Sequence, residues 1–195
     1  MLKEKLKKHN VILASGSPRR QQFFKEMELD FEVRLKSVEE VYPSKLKAAE
    51  ISDYLAKLKA SAFKNELETK DILITSDTVV WYNNESLAKA ANNTEAEVML
   101  KKLSGDWHQV ITSVCFTTME RQIILNSITE VKFKNLTHEE IQFYIEKFAP
   151  FDKAGAYGIQ EWIGLIGIEE IKGSYTNVVG LPTTLVYETL TKMVE

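Results

Sequence analysis

The sequence is poor in the residues that crosslink a chain or ligate metal ions. It contains one cysteine, Cys115, and three histidines among 195 residues. A single cysteine excludes an intramolecular disulfide and any zinc site built from several cysteines, and it is compatible with a reducing cytoplasm, where we expect this protein. His9, His108 and His138 lack the spacing of a metal site, so we predict structural roles for all three.

Two further absences limit the partners. The chain has no excess of positive charge, since 25 Lys and Arg face 28 Asp and Glu and give a net charge of −3. Proteins that coat nucleic acid or anionic membranes through bulk charge have basic stripes or a high pI. The sequence also lacks the long apolar run that a membrane span requires. We therefore expect neither nucleic acid nor a membrane among its partners.

No linker divides the chain, and its eight glycines and four prolines lie mostly at predicted turns. The first ten residues are rich in lysine and precede the first apolar segment. We predict a basic, solvated or frayed extension over 1–10 and a single domain over 11–195.

Strand-like and helix-like segments alternate along that domain. Strands are predicted over 11–14, 31–38, 71–81, 110–119, 123–133 and 164–172. Helices are predicted from Pro18, over 45–67, from the capping boxes Thr94-x-x-Glu97 and Thr137-x-x-Glu140, and from Pro182. This alternation favours an α/β fold in which helices flank one sheet.

The segment Ser15-Gly16-Ser17-Pro18-Arg19-Arg20 lies at the first strand-to-helix junction. The free N–H groups and the positive dipole end of a helix N-terminus favour an anion there. Two of the chain's four arginines are in this segment, and each can bind two phosphate oxygens. The segment is neither a Walker A motif nor a Gly-x-Gly-x-x-Gly motif, and it fits a capped helix with two solvated arginines equally well.

A single acid, Asp77, interrupts the most apolar predicted strand. Burying a carboxylate is costly unless it is paired or binds a metal ion, so Asp77 is either part of a salt bridge or functional. Lys59, Lys89 and the pair Glu39-Glu40 are weaker candidates, because such residues are commonly solvated.

Two segments rich in small residues follow late in the chain. Residues 151–160 end in Gln160, whose amide could read a flat ligand that the small residues admit, although the glycines also suit an ordinary turn. Residues 173–182 form a second loop-to-helix junction. These residues alone predict an α/β enzyme that acts on a phosphate ligand.

Five ordered motifs carry a resemblance to a known family. They are Leu13-Ala14-Ser15-Gly16-Ser17-Pro18-Arg19-Arg20, Ser76-Asp77-Thr78-Val79-Val80, Leu103-Ser104-Gly105-x-x-His108-x-Val110-x-Thr112, Asp152-Lys153-Ala154-Gly155-Ala156-Tyr157-Gly158-Ile159-Gln160 and Val178-Val179-Gly180-Leu181-Pro182. In this order they resemble the motif set of the Maf family of nucleoside triphosphate pyrophosphatases. The resemblance implies an ITPase-like mixed α/β fold with two lobes and a central cleft, often a homodimer, in the cytoplasm.

The resemblance also implies an activity and site residues. The activity is cleavage of a nucleoside triphosphate to the monophosphate and pyrophosphate with a divalent metal ion, Mg²⁺ or Mn²⁺. Asp77 falls on the proton acceptor, and Asp77 with Glu40 falls on the metal positions. The implied phosphate-binding residues are Ser15, Arg19, Arg20, Lys59 and Lys89. The implied specificity residues are Arg19, Thr78 and Gln160, which resemble those of the branch that acts on dTTP and UTP.

Two departures from the family pattern stand out. Ala90 follows Lys89 where the family usually has proline, which predicts a looser loop around Lys89, and Ser76 replaces a common alanine. Two other functions stay open. One is the same hydrolysis of another nucleotide, such as 7-methyl-GTP or a modified pyrimidine triphosphate. The other is a nucleotide-binding regulator of septum formation, in line with a link to cell division arrest.

Overall fold

A seven-stranded mixed sheet runs through the computed structural model, which describes residues Met1–Glu195. The strands are β1 (Asn10–Leu13), β2 (Glu32–Val33), β3 (Asp71–Tyr82), β4 (Glu85–Leu87), β5 (Trp107–Thr117), β6 (Gln122–Phe133) and β7 (Ile168–Lys172). The helices are α1 (Leu2–Leu6), α2 (Pro18–Glu26), α3 (Ala49–Ser61), α4 (Asn93–Leu103), α5 (His138–Phe148), α6 (Trp162–Gly167), α7 (Tyr175–Val179) and α8 (Thr183–Met193). None of these helices combines the length and apolar character needed to cross a membrane.

The strand order is β2-β1-β3-β5-β6-β7, and β4 pairs with the far end of β3. β1 runs parallel to β2 and β3, whereas the other pairs are antiparallel. Leu13, the last residue of β1, pairs with Ile74, in the first half of β3. The loop after β1 therefore lies beside the middle of β3, where Asp77 is found.

Two large apolar clusters pack on the sheet and define two lobes. One has 16 buried residues, including Leu100 of α4 and Ile145 of α5. The other has 13, including Phe24 of α2 and Val186 of α8. A cleft lies between these two groups of elements, with residues of β3 along it. The predicted fold class, a mixed sheet flanked by helices with two lobes and a central cleft, is confirmed.

Several predicted element boundaries were wrong. The strand expected over 31–38 is only β2, because its partner β1 ends at Leu13, which accepts the last hydrogen bond from the Arg34 N–H group. The helix expected over 45–67 covers only Ala49–Ser61. Asn92, not Thr94, caps α4, since its side chain accepts from the Glu95 N–H group at 3.0 Å. The capping box at Thr137 is present as predicted.

The segment after residue 163 also differs from its prediction. Gly164–Gly167 belongs to α6, and the strand β7 begins only at Ile168. A Cβ atom on Gly164 would lie 1.8 Å from the Ile159 carbonyl oxygen. The glycine therefore serves a close helix-to-loop contact and does not begin a strand.

The lysine-rich N-terminus is a helix packed on the domain and not a frayed extension. Residues Leu2–Leu6 form α1, whose Leu2 and Leu6 are buried in the same apolar cluster as the C-terminal helix α8. The spacing of four residues places both leucines on one helix face, and the intervening lysine side chains reach solvent. The charge of the lysines concealed this apolar pair in the sequence.

Candidate active site

The loop between β1 and α2 forms one wall of the cleft. The Ser15 hydroxyl is buried there and accepts a hydrogen bond from the Ser17 N–H group at 3.3 Å. Ser17 is the N-cap of α2, and Pro18 begins the helix as predicted. The Ser17 side chain makes no capping hydrogen bond. The N-terminus of α2 thus keeps its capacity to bind an anion.

Arg20 joins three segments of the site through its guanidinium. Nε donates to the Gly180 carbonyl oxygen at 2.8 Å, and Nη1 donates to the Ser76 carbonyl oxygen at 2.9 Å. Nη2 donates to Thr78 Oγ1 at 3.0 Å, and Nη1 also lies 3.4 Å from Ser15 Oγ. Most of its donors are engaged by the protein, so Arg20 fixes the loop against β3 while adding positive charge to the cleft.

The Thr78 hydroxyl group makes two hydrogen bonds, both of them within the protein. Besides accepting from Arg20, its oxygen lies 2.9 Å from Thr112 Oγ1 on β5, and Thr112 donates to the Asn177 carbonyl oxygen at 3.1 Å. This chain of hydroxyl groups connects the Arg20 site to α7. Thr78 therefore orients Arg20, whatever contact it also makes with a ligand.

Asp77 lies on β3 beside two charged residues. Lys59 of α3 donates to Asp77 Oδ1 at 2.7 Å, and the same ammonium lies 3.0 Å from Glu40 Oε1. Asp77 is buried, whereas the Glu40 side chain is about half exposed. The salt bridge that the sequence left open as an alternative is therefore present, and it lies inside the cleft.

Burial is the largest influence on the pKa of Asp77. It raises the pKa of the Asp77 carboxyl above its ordinary value, and the ammonium of Lys59 and the guanidinium of Arg20 offset that rise only in part. A carboxylate with a raised pKa is a stronger base than one in water. Such a group is suited to accept a proton from water.

Arg19 and Asp152 face each other across the cleft. Arg19 Nη1 lies 3.4 Å from Asp152 Oδ2, and the Lys153 ammonium lies 2.7 Å from Asp152 Oδ1. Partial burial acts to raise the pKa of Asp152, but Lys153 and Arg19 hold it below its ordinary value. Because its only salt bridge is long and partly exposed, Arg19 can exchange Asp152 for an anion at low cost.

Lys89 and Gln160 are exposed polar residues of the opposite lobe. Neither side chain makes a hydrogen bond or salt bridge within the protein, and both line the cleft. The backbone of Lys89 pairs with Ala154, and the Gly155 N–H group donates to Leu87 and Ala88. Backbone pairing thus holds this loop in place, and the looser loop expected without proline stays a prediction.

The site residues implied by the family resemblance all line this cleft of about 690 Å³, whereas the weaker candidate Glu39 does not. They are Ser15, Arg19, Arg20, Glu40, Lys59, Asp77, Thr78, Lys89 and Gln160. No role was predicted for Asp152, Lys153, Thr112 or Gly180, although each lies in one of the five motifs. Their positions in these motifs were the available signal. The contacts of Asp152 with Arg19, of Thr112 with Thr78 and of Gly180 with Arg20 join residues far apart in the chain.

The histidines and the cysteine lie outside this chemistry. His108 is buried, its Nε2 lies 2.7 Å from the Tyr157 hydroxyl, and burial lowers its pKa to about 3. His108 is therefore neutral and part of the core at physiological pH, as predicted. Cys115 is buried, and its burial raises the pKa of the thiol. It is unsuited to act as a nucleophile.

Comparisons with known proteins agree with this arrangement. A family model described as Maf-like protein matches residues 10–193. A protein of Flavobacterium johnsoniae named dTTP/UTP pyrophosphatase is 58% identical over 194 residues, which are 100% of each chain. A protein of the same name from Flavobacterium psychrophilum is 59% identical over 187 residues, which are 96% of each chain.

A solved structure, the Ham1 protein of Staphylococcus aureus, has a TM-score of 0.48 and 18% identity over 64% of this chain and 71% of its own. Structural and sequence similarity this low supports no conclusion about fold or function. The family match spans nearly the whole chain, and the two relatives share more than half of its residues. The chain belongs to the family of Maf-like proteins.

Proposed function

We propose that this protein hydrolyses dTTP and UTP to the nucleoside monophosphate and pyrophosphate. The observation that carries the proposal is the buried carboxylate of Asp77 in a cleft whose other charged groups are mostly cations. A site that only bound a triphosphate would gain from that acid only if the acid held a metal ion. The names of the two Flavobacterium relatives supply the substrates.

The reaction is an in-line attack of water on the α-phosphorus. Asp77 accepts a proton from the water molecule as the water oxygen forms a bond to the α-phosphorus. The bond between the α-phosphorus and the oxygen that bridges it to the β-phosphorus breaks. Pyrophosphate leaves with that oxygen. A positioned general base contributes about 10²- to 10⁴-fold to such a step.

The cations of the cleft stabilise the charge that moves onto the leaving pyrophosphate. Arg19 turns from Asp152 to the phosphates, and Lys89 reaches them from the opposite lobe. The N-terminus of α2 supplies N–H groups, and Arg20 holds that loop in place. Positioning and electrostatics of this kind dominate phosphoryl transfer.

Asp77 and Glu40 would hold a divalent metal ion. No group of three or more acidic, histidine or cysteine residues is arranged to hold one. Mg²⁺, however, is commonly bound by one or two carboxylates together with substrate phosphates, and these two carboxylates share one ammonium, that of Lys59. When bound, the metal neutralises phosphate charge. Mn²⁺ accepts the same oxygen ligands.

Gln160 recognises the nucleobase of the substrate through hydrogen bonds. Its amide is free of protein partners, and it can accept from N3–H of uracil or thymine while it donates to O4. Guanine presents more donors on its edge and matches the amide poorly.

Replacing Gln160 with glutamate tests that role. An ionised carboxylate accepts but cannot donate, so it loses the bond to O4 and repels that oxygen. We expect kcat/KM for dTTP and UTP to fall by roughly tenfold or more, measured with a panel of nucleoside triphosphates. The exposed Gln122→Glu on β6 is the matched control and should leave the panel unchanged. An unaltered preference for dTTP and UTP in Gln160→Glu contradicts the role.

The rate should depend on the protonation of Asp77. Protonated Asp77 cannot accept a proton, so kcat falls as the pH drops through its pKa. Because burial raises that pKa, the acid limb lies above about 3.9, the value of an aspartate in water. Lys59→Met removes the cation that lowers this pKa most and shifts the limb to still higher pH.

The measurement is kcat as a function of pH for the wild type, for Lys59→Met and for a control variant, Lys101→Met. Lys101→Met, which removes a lysine paired with Glu97 on α4, is the matched control and should keep the wild-type limb. A limb that moves to lower pH in Lys59→Met contradicts the assignment of Asp77.

One experiment tests the function itself. The protein is incubated with canonical and modified nucleoside triphosphates and Mg²⁺ or Mn²⁺, and monophosphate and pyrophosphate are measured. We expect both products from dTTP and UTP in equal amounts. Binding without either product would indicate a regulator, and preferred cleavage of 7-methyl-GTP would place the protein in another substrate class.

A further inference from the structure

Gln160 lies in a tight turn that spans Gly158–Glu161. The turn is closed by the Glu161 N–H group, which donates to the Gly158 carbonyl oxygen at 3.0 Å. Gln160 occupies its third position and is exposed to the cleft. The direction of the amide therefore depends on how firmly the two ends of this turn are held.

One hydroxyl group, that of Tyr144 on α5, binds both ends of the turn. It accepts a hydrogen bond from the Gly158 N–H group at 3.0 Å and donates one to Glu161 Oε2. The ring is completely buried and stacks on Phe148, with the ring centroids 5.2 Å apart. Burial, followed by the bond to Glu161, raises the pKa of Tyr144, so its hydroxyl remains a donor over the physiological range.

Lys153 holds the other oxygen of Glu161. Its ammonium is nearly buried and lies 3.0 Å from Glu161 Oε1 and 2.7 Å from Asp152 Oδ1. Gly158 packs closely against this pair, because a Cβ atom there would lie 2.9 Å from Glu161 Cδ and 3.0 Å from Lys153 Cε. Both carboxylate oxygens of Glu161 are thus engaged, and the turn has little room to move.

The geometry points to Tyr144 and Glu161 as positioning residues that set nucleobase discrimination by fixing the turn that presents Gln160. The inference rests on the proposed function of Gln160 and deepens it. Neither residue lines the cleft, so each acts through the turn and not by touching the nucleotide. Without Tyr144's hydroxyl, the Gly158 N–H group and one oxygen of Glu161 lose their partner, and the turn is free to rotate the amide away from the base.

The test measures binding, so that it does not depend on turnover. The dissociation constants of the α,β-imido analogues of dTTP and dCTP are measured by calorimetry with Mg²⁺ for the wild type, Tyr144→Phe and Glu161→Gln. Tyr144→Phe keeps the ring and removes one oxygen atom. We expect the preference for the dTTP analogue to fall about tenfold or more, since small displacements of a positioning group weaken recognition strongly.

A double-mutant cycle separates this role from a merely structural one. In a Gln160→Ala background, Tyr144→Phe should no longer change the preference, because the group through which it acts is gone. Tyr82→Phe is the matched control: it removes a hydroxyl that donates to Asp106 Oδ2 at 2.9 Å, away from the cleft, and should leave the preference at its wild-type value. Thermal unfolding of each variant accompanies the binding measurement.

The outcomes are distinguishable. A wild-type preference that survives Tyr144→Phe and Glu161→Gln overturns the positioning role alone. An effect of Tyr144→Phe that persists undiminished in the Gln160→Ala background also overturns it. A wild type that binds both analogues equally contradicts the role of Gln160 and with it this inference. Absence of hydrolysis contradicts only the proposed reaction.

Discussion

Asp77→Asn is expected to lower kcat for dTTP by about 10²- to 10⁴-fold, the contribution of a positioned general base, with little change in nucleotide affinity. Asparagine has nearly the same shape as aspartate, and its side-chain oxygen can still accept a hydrogen bond from Lys59. It cannot accept a proton from water. The variant thus removes the chemistry while it keeps the packing of β3.

The measurement is pyrophosphate release under saturating nucleotide, together with the dissociation constant of a non-hydrolysable dTTP analogue. Asp106→Asn is the matched control, because Asp106 is an aspartate outside the cleft that accepts hydrogen bonds from Tyr82 and from the Trp107 N–H group. It should retain wild-type kcat. Release of pyrophosphate by Asp77→Asn at the wild-type rate would show that another group accepts the proton.

Arg20→Lys is expected to lower kcat/KM by roughly tenfold to a hundredfold and to lower the melting temperature. The planar guanidinium donates in three directions, to the carbonyl groups of Ser76 and Gly180 and to Thr78 Oγ1. One ammonium cannot reach all three, so at least one buried acceptor loses its partner at a cost of about 1–3 kcal/mol. The loop at Ser15 then loses its fixed distance from β3.

Steady-state kinetics and thermal unfolding of the variant check this expectation. Arg121→Lys is the matched control, since Arg121 is exposed and its one contact to the Met193 carbonyl oxygen is 3.5 Å long. We expect that control to match the wild type in both measurements. If Arg20→Lys keeps wild-type kcat/KM and stability, Arg20 acts only as a charge.

The elements with the strongest local patterns were predictable. The strands β3, β5 and β6, the start of α2 at Pro18 and the capping box at Thr137 agree with the sequence within a few residues. In these segments, hydrophobic pattern, turn residues and caps favour the same structure. The resemblance to the Maf family is confirmed by the family match, whereas the individual residue roles stay predictions.

The segments that were mispredicted depend on distant partners. The strand near residue 32 ends where β1 ends, and α1 is a helix because two leucines reach the apolar cluster beside α8. Neither partner can be read from the local sequence. Local propensity is a weak guide wherever tertiary contacts supply most of the stability.

The sequence by itself determined the α/β class and Asp77 as the unusual acid of an apolar strand, and it predicted phosphate binding at the loop before α2. It did so because periodicity, caps and an isolated charge are local features. Only the tertiary structure decided that Lys59 pairs Asp77 with Glu40, that Arg20 is held by three segments, and that Tyr144 fixes the turn of Gln160. Those contacts join residues far apart in the chain, and their distances follow from how the two lobes pack on the sheet.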